Sequence, residues 1–265
     1  MKVALGLVNS HIQMPKLLLK RFHNEHQSYY AYDVSTGFIN KNGSAKSTNT
    51  ILGYYSNLVE DALQSEIESP FGTLLTTLDS MLNSLDLSVD RFSPPPNYEQ
   101  VIFSFVHALM ARDPYMLDAM KNRSGFSRFL SEIDQHDIAV ILGMSEANEH
   151  PPFPGYKPTF MVNTTSTPFV LPVCGMYDFR FDGHIVINLA ISKNLAITLI
   201  SHDLLQKMRN QSGAIALIRV DDPLIVQRLN SIAFQAQVQR KWGWVVCPNR
   251  AEIDRLIAEQ TLISV

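Results

Sequence analysis

The order of hydrophobic and polar positions divides the chain into a mostly helical N-terminal half and a strand-rich C-terminal half. The clearest helical pattern runs over residues 71–85, where apolar residues recur at intervals of three and four. A second helix is predicted to begin at Asn97, with Gln100 placed as in a capping box, and to be apolar on almost every side from Val101 to Met110. The stripe of the first helix consists of Phe71, Leu74, Leu75, Leu78, Met81, Leu82 and Leu85.

A shorter helix is predicted near the N-terminus. Pro15 suits the first turn of a helix, because its missing N–H has no intrahelical partner to lose. Leu18, Leu19 and Phe22 then share one face of that helix. His11 lies just before it and has two interpretations, either a cap or solvent-exposed side chain, or a group at the edge of a polar pocket.

The segments between these helices contain turns and short elements. Tyr29–Asp33 is predicted to be a strand that turns and returns through Phe38–Ile39. Lys41–Ser47 is predicted to be a polar loop, and it lacks the glycine spacing of a phosphate-binding P-loop. A helix is predicted from Ser56, with an interruption at Pro70.

Prolines and polar residues delimit the elements beyond the second helix. Arg112-Asp113-Pro114 is expected to end that helix, on which His107 is predicted to be buried and hydrogen-bonded. Two shorter helices are predicted over Tyr115–Asn122 and Phe126–Gln135. The apolar run Ile138–Leu142 fits either a buried strand or a short helix, because periodicity does not separate the two over so few residues.

The C-terminal half is predicted to consist of strands followed by two helices. An acidic doublet before proline, Asp221-Asp222-Pro223, is typical of a helix N-cap, and this helix runs to about Lys241. Asn249 caps a final helix through Ile257, and Asp178–His184 is predicted to form a hairpin turn at Gly183. The predicted strands are Thr159–Val162, Phe169–Val173, His184–Leu189, Leu195–Ile200, Ala214–Val220 and Trp242–Cys247.

These patterns predict an α+β fold. Its N-terminal half is helical and includes a small hairpin, and its C-terminal half is rich in sheet with two flanking helices. One domain over residues 1–265 is expected. A sub-boundary is predicted at residues 145–158, where Pro151, Pro152 and Pro154 are clustered.

Composition and charge narrow the functional classes. Hydrophobic residues make up 46% of the chain and charged residues 18%, as in globular proteins with ample material for a core. The formal net charge of −3 argues against a general polyanion binder. The apolar run Val3–Val8 is too short for a signal-peptide core or a membrane span, and Cys174 and Cys247 do not suggest a disulfide framework. We therefore expect a cytoplasmic protein with reduced thiols and no membrane partner.

Motifs of known chemistry give little support for an enzyme. The sequence has no HExxH, no paired CxxC and no GxSxG, and no cofactor is predicted. His23 and His26 are close in sequence, but Glu25 and the surrounding turn favour exposed polar residues, so no metal site is predicted. Basic and aromatic residues meet in two places, which are either solvated surface or contacts to nucleic acid. The basic residues considered for nucleic-acid contact are Lys20, Arg21, Arg240 and Lys241.

Several separated motifs resemble the bacterial family catalogued as domain of unknown function 4238. The His-Pro-Leu-Phe signature of that family is matched by His11, Pro15, Leu19 and Phe22. The other similar segments are Tyr30–Asp33, the acidic helix Glu60–Glu68, Phe103–Pro114 with its Arg-x-Pro ending at Arg112 and Pro114, Leu189–Lys193, and Arg228–Asn230. The resemblance covers nearly the whole chain and implies one integrated domain.

The chain departs from the family at one polar cluster. Members often carry Thr-Ser-Asp-Asn-Pro after a strand, whereas this sequence has Thr164-Thr165-Ser166-Thr167-Pro168. The acidic residue and the amide are absent, which puts in doubt any chemistry that those groups perform in relatives. Some members are associated with bacterial defence against phage.

Two hypotheses of function follow. The first is a binding or sensing component, acting in bacterial defence against phage, with a protein or nucleic-acid partner. Its polar pocket would use His11, Arg112, Ser166 and Asn230. The second is a hydrolase or nuclease-like effector acting on nucleic acid, which would gather carboxylates or histidines with perturbed pKa values in one cleft.

Overall fold

Helices and β-sheets both build this protein, which confirms the predicted α+β class. The structure is a computed structural model that describes residues 9–11, 14–48, 50–52, 54–84, 93–114, 131–149, 153–212 and 217–263. The predicted helix at 115–122, the first part of the one at 126–135, and Leu85 lie outside the described residues.

The elements follow one another in chain order with helices concentrated before residue 150. The first part contains β1 (Asn9–His11), α1 (Lys16–Lys20), β2 (Tyr29–Asp33), β3 (Ile39–Gly43), α2 (Ala45–Thr48), β4 (Thr50–Leu52), α3 (Asn57–Ala62), a π-helical segment (Leu63–Glu68), α4 (Ser69–Ser84), α5 (Tyr98–Ala111) and α6 (Glu132–Glu149). The second part contains β5 (Tyr156–Asn163), β6 (Leu171–Pro172), β7 (Met176–Phe181), β8 (His184–Ala190), β9 (Leu195–Ser201), α7 (His202–Ser212), β10 (Leu217–Val220), α8 (Pro223–Arg240), β11 (Trp244–Cys247) and α9 (Arg250–Ile263).

The chain divides into two compact units, each made of discontinuous segments. The first unit comprises Met1–Pro15, Asn49–Asn83 and Pro95–Pro154. The second unit comprises Lys16–Thr48, Ser84–Pro94 and Gly155–Val265. The change of unit after Pro154 falls inside the predicted sub-boundary at 145–158.

Helical continuity through Pro70 is the first correction to the sequence prediction. The chain stays helical from α3 into α4, because a π-helical turn over Leu63–Glu68 precedes the proline. In an α-helix, the proline ring clashes with the carbonyl four residues before it. The Ser69 N–H instead bonds to the Gln64 carbonyl, five residues back, and this wider turn carries the chain past Pro70 without a break.

The core of the first unit is formed mainly by α4 and α5. Phe71 and Phe105 stack with their ring centroids 3.7 Å apart, and Leu78 is fully buried. Asn97 begins α5 as predicted, but with a left-handed backbone (φ 61°) and without a side-chain capping bond, so the predicted capping box is wrong. Ile138–Leu142 belongs to α6 and is helical.

The second unit contains two sheets. The five-stranded sheet has the order β10-β5-β9-β8-β7, in which β10 is parallel to β5 and the other pairs are antiparallel. The four-stranded sheet has the order β3-β2-β11-β6 with antiparallel pairs. Strand β9 is buried along most of its length, which explains why its sequence is apolar except at Thr198 and Ser201.

Several local predictions for this unit are confirmed. Leu18, Leu19 and Phe22 are fully buried beside exposed Lys16 and Lys20. The β7–β8 hairpin turns at Asp182 and Gly183, both with positive φ, as the glycine signal indicated. The carboxylate of Asp222 accepts a hydrogen bond from the Leu224 N–H, and the Asn249 side chain accepts one from the Ala251 N–H, so both predicted helix caps are present.

Helix α7 was not predicted. Its eleven residues are mostly polar, and Leu204 and Leu205 supply the buried contacts. Leu217–Val220 of the predicted strand at Ala214–Val220 forms β10, and residues 214–216 lie outside the described residues. Cys174 and Cys247 are both buried, and neither forms a disulfide in the structure. Burial raises the pKa of the Cys247 thiol to about 12.

The buried hydroxyl of Tyr29 predicts that the second unit loses stability at alkaline pH. This hydroxyl lies 2.6 Å from the Thr48 hydroxyl, and burial raises the pKa of Tyr29 from 10.0 to about 12. Because folding raises this pKa, the neutral Tyr29 hydroxyl contributes fully to the free energy of unfolding below about pH 10. This contribution is lost as the pH rises through about 12.

The test is urea unfolding of the wild type and of Tyr29→Phe across this range of pH. The wild type should lose unfolding free energy more steeply than Tyr29→Phe between about pH 10 and 12. Parallel pH profiles for the two proteins would contradict the assignment of the alkaline transition to Tyr29.

Candidate functional site

The four residues predicted to share a pocket are divided between the two units. His11 lies in β1, where its backbone register pairs it with Thr50 of β4. Arg112 follows α5 in the same unit. Ser166 and Asn230 belong to the second unit. Their common pocket stays a prediction, and each pair is described within its own unit.

Arg112 is held by the first unit as a buried ion pair. Its side chain is 0% exposed, and Nη1 donates to Glu68 Oε1 at 2.9 Å. Nε donates to the Ala108 carbonyl at 3.3 Å. Among the described residues, Nη2 is buried without a hydrogen-bond partner. The geometry makes Arg112 part of the helical core and ties it to the last residue of the π-helical segment.

His107, on the same helix, differs from its prediction. It is half-buried, and its Nε2 atom lacks a hydrogen-bond partner within the described ranges. Burial lowers the pKa of the imidazole, so the ring is neutral at physiological pH. A neutral ring avoids leaving a buried charge without a partner.

The second unit contains an open pocket of about 620 Å³. Four separate segments form it: the loop before β2, the loop between β5 and β6, the turn between β8 and β9, and the start of α9. Its volume lies in the range of small-molecule sites, although its lining is mostly polar. The lining residues are Asn24, Glu25, His26, Tyr30, Ser166, Pro168, Lys193, Asn194, Pro248, Asn249 and Arg250.

The loop before β2 is fixed by the side chain of Asn24. Its Oδ1 accepts hydrogen bonds from the backbone N–H groups of His26 at 2.9 Å and Ser28 at 3.3 Å. This is an Asx-type turn, in which the amide replaces a backbone acceptor. The pocket wall formed by Asn24, Glu25 and His26 is therefore held locally, even though the Glu25 and His26 side chains are exposed.

Asn163 fixes the loop that carries Ser166. Its Oδ1 accepts from the Thr165 N–H at 2.9 Å, and its Nδ2 donates to the Thr167 carbonyl at 2.6 Å. The Asn163 N–H donates to the Asn194 carbonyl at 2.9 Å, which joins this loop to the β8–β9 turn. The run from Thr164 to Pro168, where the family resemblance places its polar cluster, thus lines the pocket through Ser166 and Pro168.

Cationic groups at the pocket outnumber carboxylates. Lys193 is exposed, and its ammonium makes no ion pair within the described part of the chain. Hydrogen bonds from Arg250 to Asp254 raise the pKa of the Arg250 guanidinium, so it is fully charged. The N-terminal end of α9 adds a partial positive charge at Arg250. Among the described residues, Glu25 is the one carboxylate in the lining. Its Oε1 atom lies 3.5 Å from Nε2 of His26.

Asn230 lies behind this pocket and does not line it. It is 1% exposed, and it bonds to the backbone of Pro168 and Val170 and to Glu252. Its amide therefore stabilises the walls of the pocket.

The residues considered for nucleic-acid contact have different surroundings. Lys20 and Lys241 are exposed, and Lys241 ends α8 with a left-handed backbone (φ 59°). Arg21 Nε donates to the Ile191 carbonyl at 2.9 Å, so this arginine supports the fold. Arg240 and Trp244 are both half-buried. Contact of these residues with nucleic acid stays a prediction.

A second polar cluster lies at the β7–β8 turn and the start of α7. Ser201 Oγ is 3.2 Å from His184 Nδ1, and Lys207 Nζ is 3.1 Å from His184 Nε2 and 3.3 Å from Asp182 Oδ2. Because the ammonium donates to Nε2, the neutral ring carries its proton on Nδ1 and donates to Ser201. A serine nucleophile needs the opposite tautomer, with Nδ1 as acceptor. Ser201 also accepts from the Leu204 N–H and caps α7.

Metal chemistry and membrane insertion receive no support from the described residues. No group of three or more His, Cys, Asp or Glu side chains in that part of the chain is arranged to hold a metal ion. None of the helices within the described ranges combines the length and the apolar character that crossing a bilayer requires.

No family model, curated protein or solved structure matches the chain. The resemblance to domain of unknown function 4238 stays a prediction. The geometry of the second unit alone supports the pocket as a candidate site.

Sequence reasoning identified Ser166 but missed most of the pocket. Asn24, Lys193 and Asn249 stand in turns or at a helix cap, where polar residues are expected for conformational reasons. Their convergence depends on strand order, which brings together the ends of β5, β8 and β11 and the starts of β2 and β9. The sequence feature that could have indicated the pocket is the recurrence of asparagine at the boundaries of successive elements.

Proposed function

We propose that this protein is a binding or sensing component whose pocket in the second unit takes a small ligand bearing a phosphate or carboxylate group. The pocket volume of about 620 Å³ suits a ligand of nucleotide size or smaller. The resemblance adds cytosolic defence against phage in bacteria as the biological setting of this proposal.

The observation that carries the proposal is the convergence of Lys193, Arg250 and the N-terminal end of α9 on one pocket. Lysine and arginine donate charge-assisted hydrogen bonds to oxyanions, and a helix N-terminus favours negative charge. Asn194, Ser166 and the Tyr30 hydroxyl add neutral donors around the same space. Such a lining favours a compact, hydrogen-bonding anion over an apolar ligand.

The proposal is tested by calorimetric titration with adenosine monophosphate, citrate and inorganic phosphate, with adenosine as an uncharged counterpart. At least one anion should bind, and adenosine should bind at least about tenfold more weakly than adenosine monophosphate if the charge is what is recognised. Equal binding of adenosine, or no binding of any anion, would contradict the proposal.

Lys193→Ala locates the binding site, with Lys46→Ala as the matched control. Loss of one charge-assisted hydrogen bond should weaken anion binding by roughly tenfold. Lys46 is equally exposed but lies on α2 and does not line the pocket, so its replacement should leave affinity unchanged. Binding that survives in Lys193→Ala would place the ligand elsewhere.

A further inference from the structure

Asn230 joins two segments that each contribute to the wall of the pocket. Its Oδ1 accepts from the Val170 N–H at 3.0 Å. Its Nδ2 donates to the Pro168 carbonyl at 2.9 Å and to Glu252 Oε1 at 2.7 Å. An asparagine has one acceptor group and two donor hydrogens, and all three bonds are made here in a side chain that is 1% exposed.

The first wall reached by Asn230 is the loop after β5. Pro168 lines the pocket, and Ser166 stands two residues before it. The bonds of Asn230 to Pro168 and Val170 hold the end of this loop to α8.

The second wall is the start of α9. Glu252 lies in its first turn, two residues after Arg250, and is buried. Arg255 holds this carboxylate with two hydrogen bonds, at 2.9 Å to Oε2 and 2.7 Å to Oε1. The bond from Asn230 to Glu252 therefore fixes the helix start that presents Asn249 and Arg250 to the pocket.

We infer that Asn230 is a positioning residue that sets the distance between the Ser166–Pro168 wall and the Asn249–Arg250 wall. It does not line the pocket, and it acts through Pro168 and Glu252. Its expected effect on affinity rests on the proposed binding function. Its expected effect on the two walls does not rest on that function, so hydrogen exchange in the walls and affinity are measured separately.

The discriminating variant is Asn230→Asp, which keeps the shape and the acceptor but removes both donor hydrogens and places a carboxylate against Glu252. Hydrogen exchange should accelerate by about tenfold in both walls, at residues 166–172 and 248–254. Exchange in β5 and β9 of the same unit should stay unchanged. In parallel, the Kd for inorganic phosphate should rise by about tenfold.

A rescue variant separates positioning from a general loss of stability. In Asn230→Asp combined with Glu252→Gln, the new amide at 252 can donate to the new carboxylate at 230, so the bridge re-forms with donor and acceptor exchanged. Exchange near residues 248–254 should return toward the wild-type rate. Glu252→Gln alone shows the cost of weakening the Arg255–Glu252 pair. Failure of the rescue, with all variants folded and with Glu252→Gln alone exchanging like the wild type, would overturn the inference.

Gln237→Glu is the matched control on the same helix. Gln237 is also buried on α8, accepts from the Cys174 N–H at 2.8 Å and donates to the Trp242 carbonyl. None of these groups lines the pocket. The same amide-to-carboxylate change there should disturb residues 172–176 and 240–244 and leave phosphate affinity unchanged.

The outcomes distinguish the two proposals. If the wild type does not bind phosphate or the other anions, the proposed function fails, while coupled exchange in the two walls still supports positioning by Asn230. If Asn230→Asp disturbs only one wall, or if Gln237→Glu disturbs both walls equally, the positioning inference is overturned whatever the wild type binds.

Discussion

Replacing Glu68 by leucine should lower the free energy of unfolding by about 3–5 kcal/mol, because it leaves the Arg112 guanidinium buried without its carboxylate. Arg112 is 0% exposed and Glu68 only 8%, so water cannot take over the lost partner. Among the described residues, the remaining acceptor of Arg112 is the Ala108 carbonyl, at 3.3 Å from Nε. Urea unfolding followed by circular dichroism measures the loss.

The double variant Glu68→Leu, Arg112→Met shows whether the cost comes from the unpaired charge. Removing both charged groups together should recover most of the lost stability, since apolar replacements of a buried pair are often neutral or stabilising. The exposed pair Arg250–Asp254 has the same 2.9 Å separation and serves as a matched control. Asp254→Ala should leave the free energy of unfolding almost unchanged, because water replaces the lost partner of an exposed ion pair. A small effect of Glu68→Leu would show that Arg112 reaches water or another acceptor.

The parts of the fold that could be predicted were those fixed by local chemistry. The apolar stripe of α4, the caps at Asp222 and Asn249, and the turn at Gly183 each follow from residues within a few positions of one another. Pro70 misled because its effect depends on the hydrogen bonding of the preceding turn, and that turn is π-helical. Helix α7 was missed although Leu204, Leu205 and Met208 stand at helical spacing and pack in one apolar cluster.

The candidate site was less predictable than the fold because its residues meet only through tertiary structure. Ser166, Lys193 and Arg250 come from three connections whose proximity depends on the strand order of two sheets. Asn230 was predicted to be a pocket residue because it is a polar residue among apolar ones in the family-like segment Arg228–Asn230. In the structure, the Asn230 amide instead makes hydrogen bonds to Pro168, Val170 and Glu252. This polar residue therefore supports the pocket and does not line it.

Replacing Leu78 by aspartate should be among the most destabilising single changes, at about 4 kcal/mol or more. Leu78 is 0% exposed on α4, so the variant loses a buried aliphatic side chain and places an unpaired carboxylate in the core of the first unit. The alternative role for this stripe, an exposed surface for a partner, predicts a folded variant that loses only association.

Leu58→Asp provides the matched control for this prediction, because Leu58 is 78% exposed on α3 in the same unit. A change at such a position should alter the free energy of unfolding by no more than about 0.5 kcal/mol. Thermal melting with sizing chromatography separates the outcomes. Core packing predicts a large loss of melting temperature for Leu78→Asp and almost none for Leu58→Asp. An unchanged melting temperature with an altered oligomeric state for Leu78→Asp would instead assign this face of α4 to a partner.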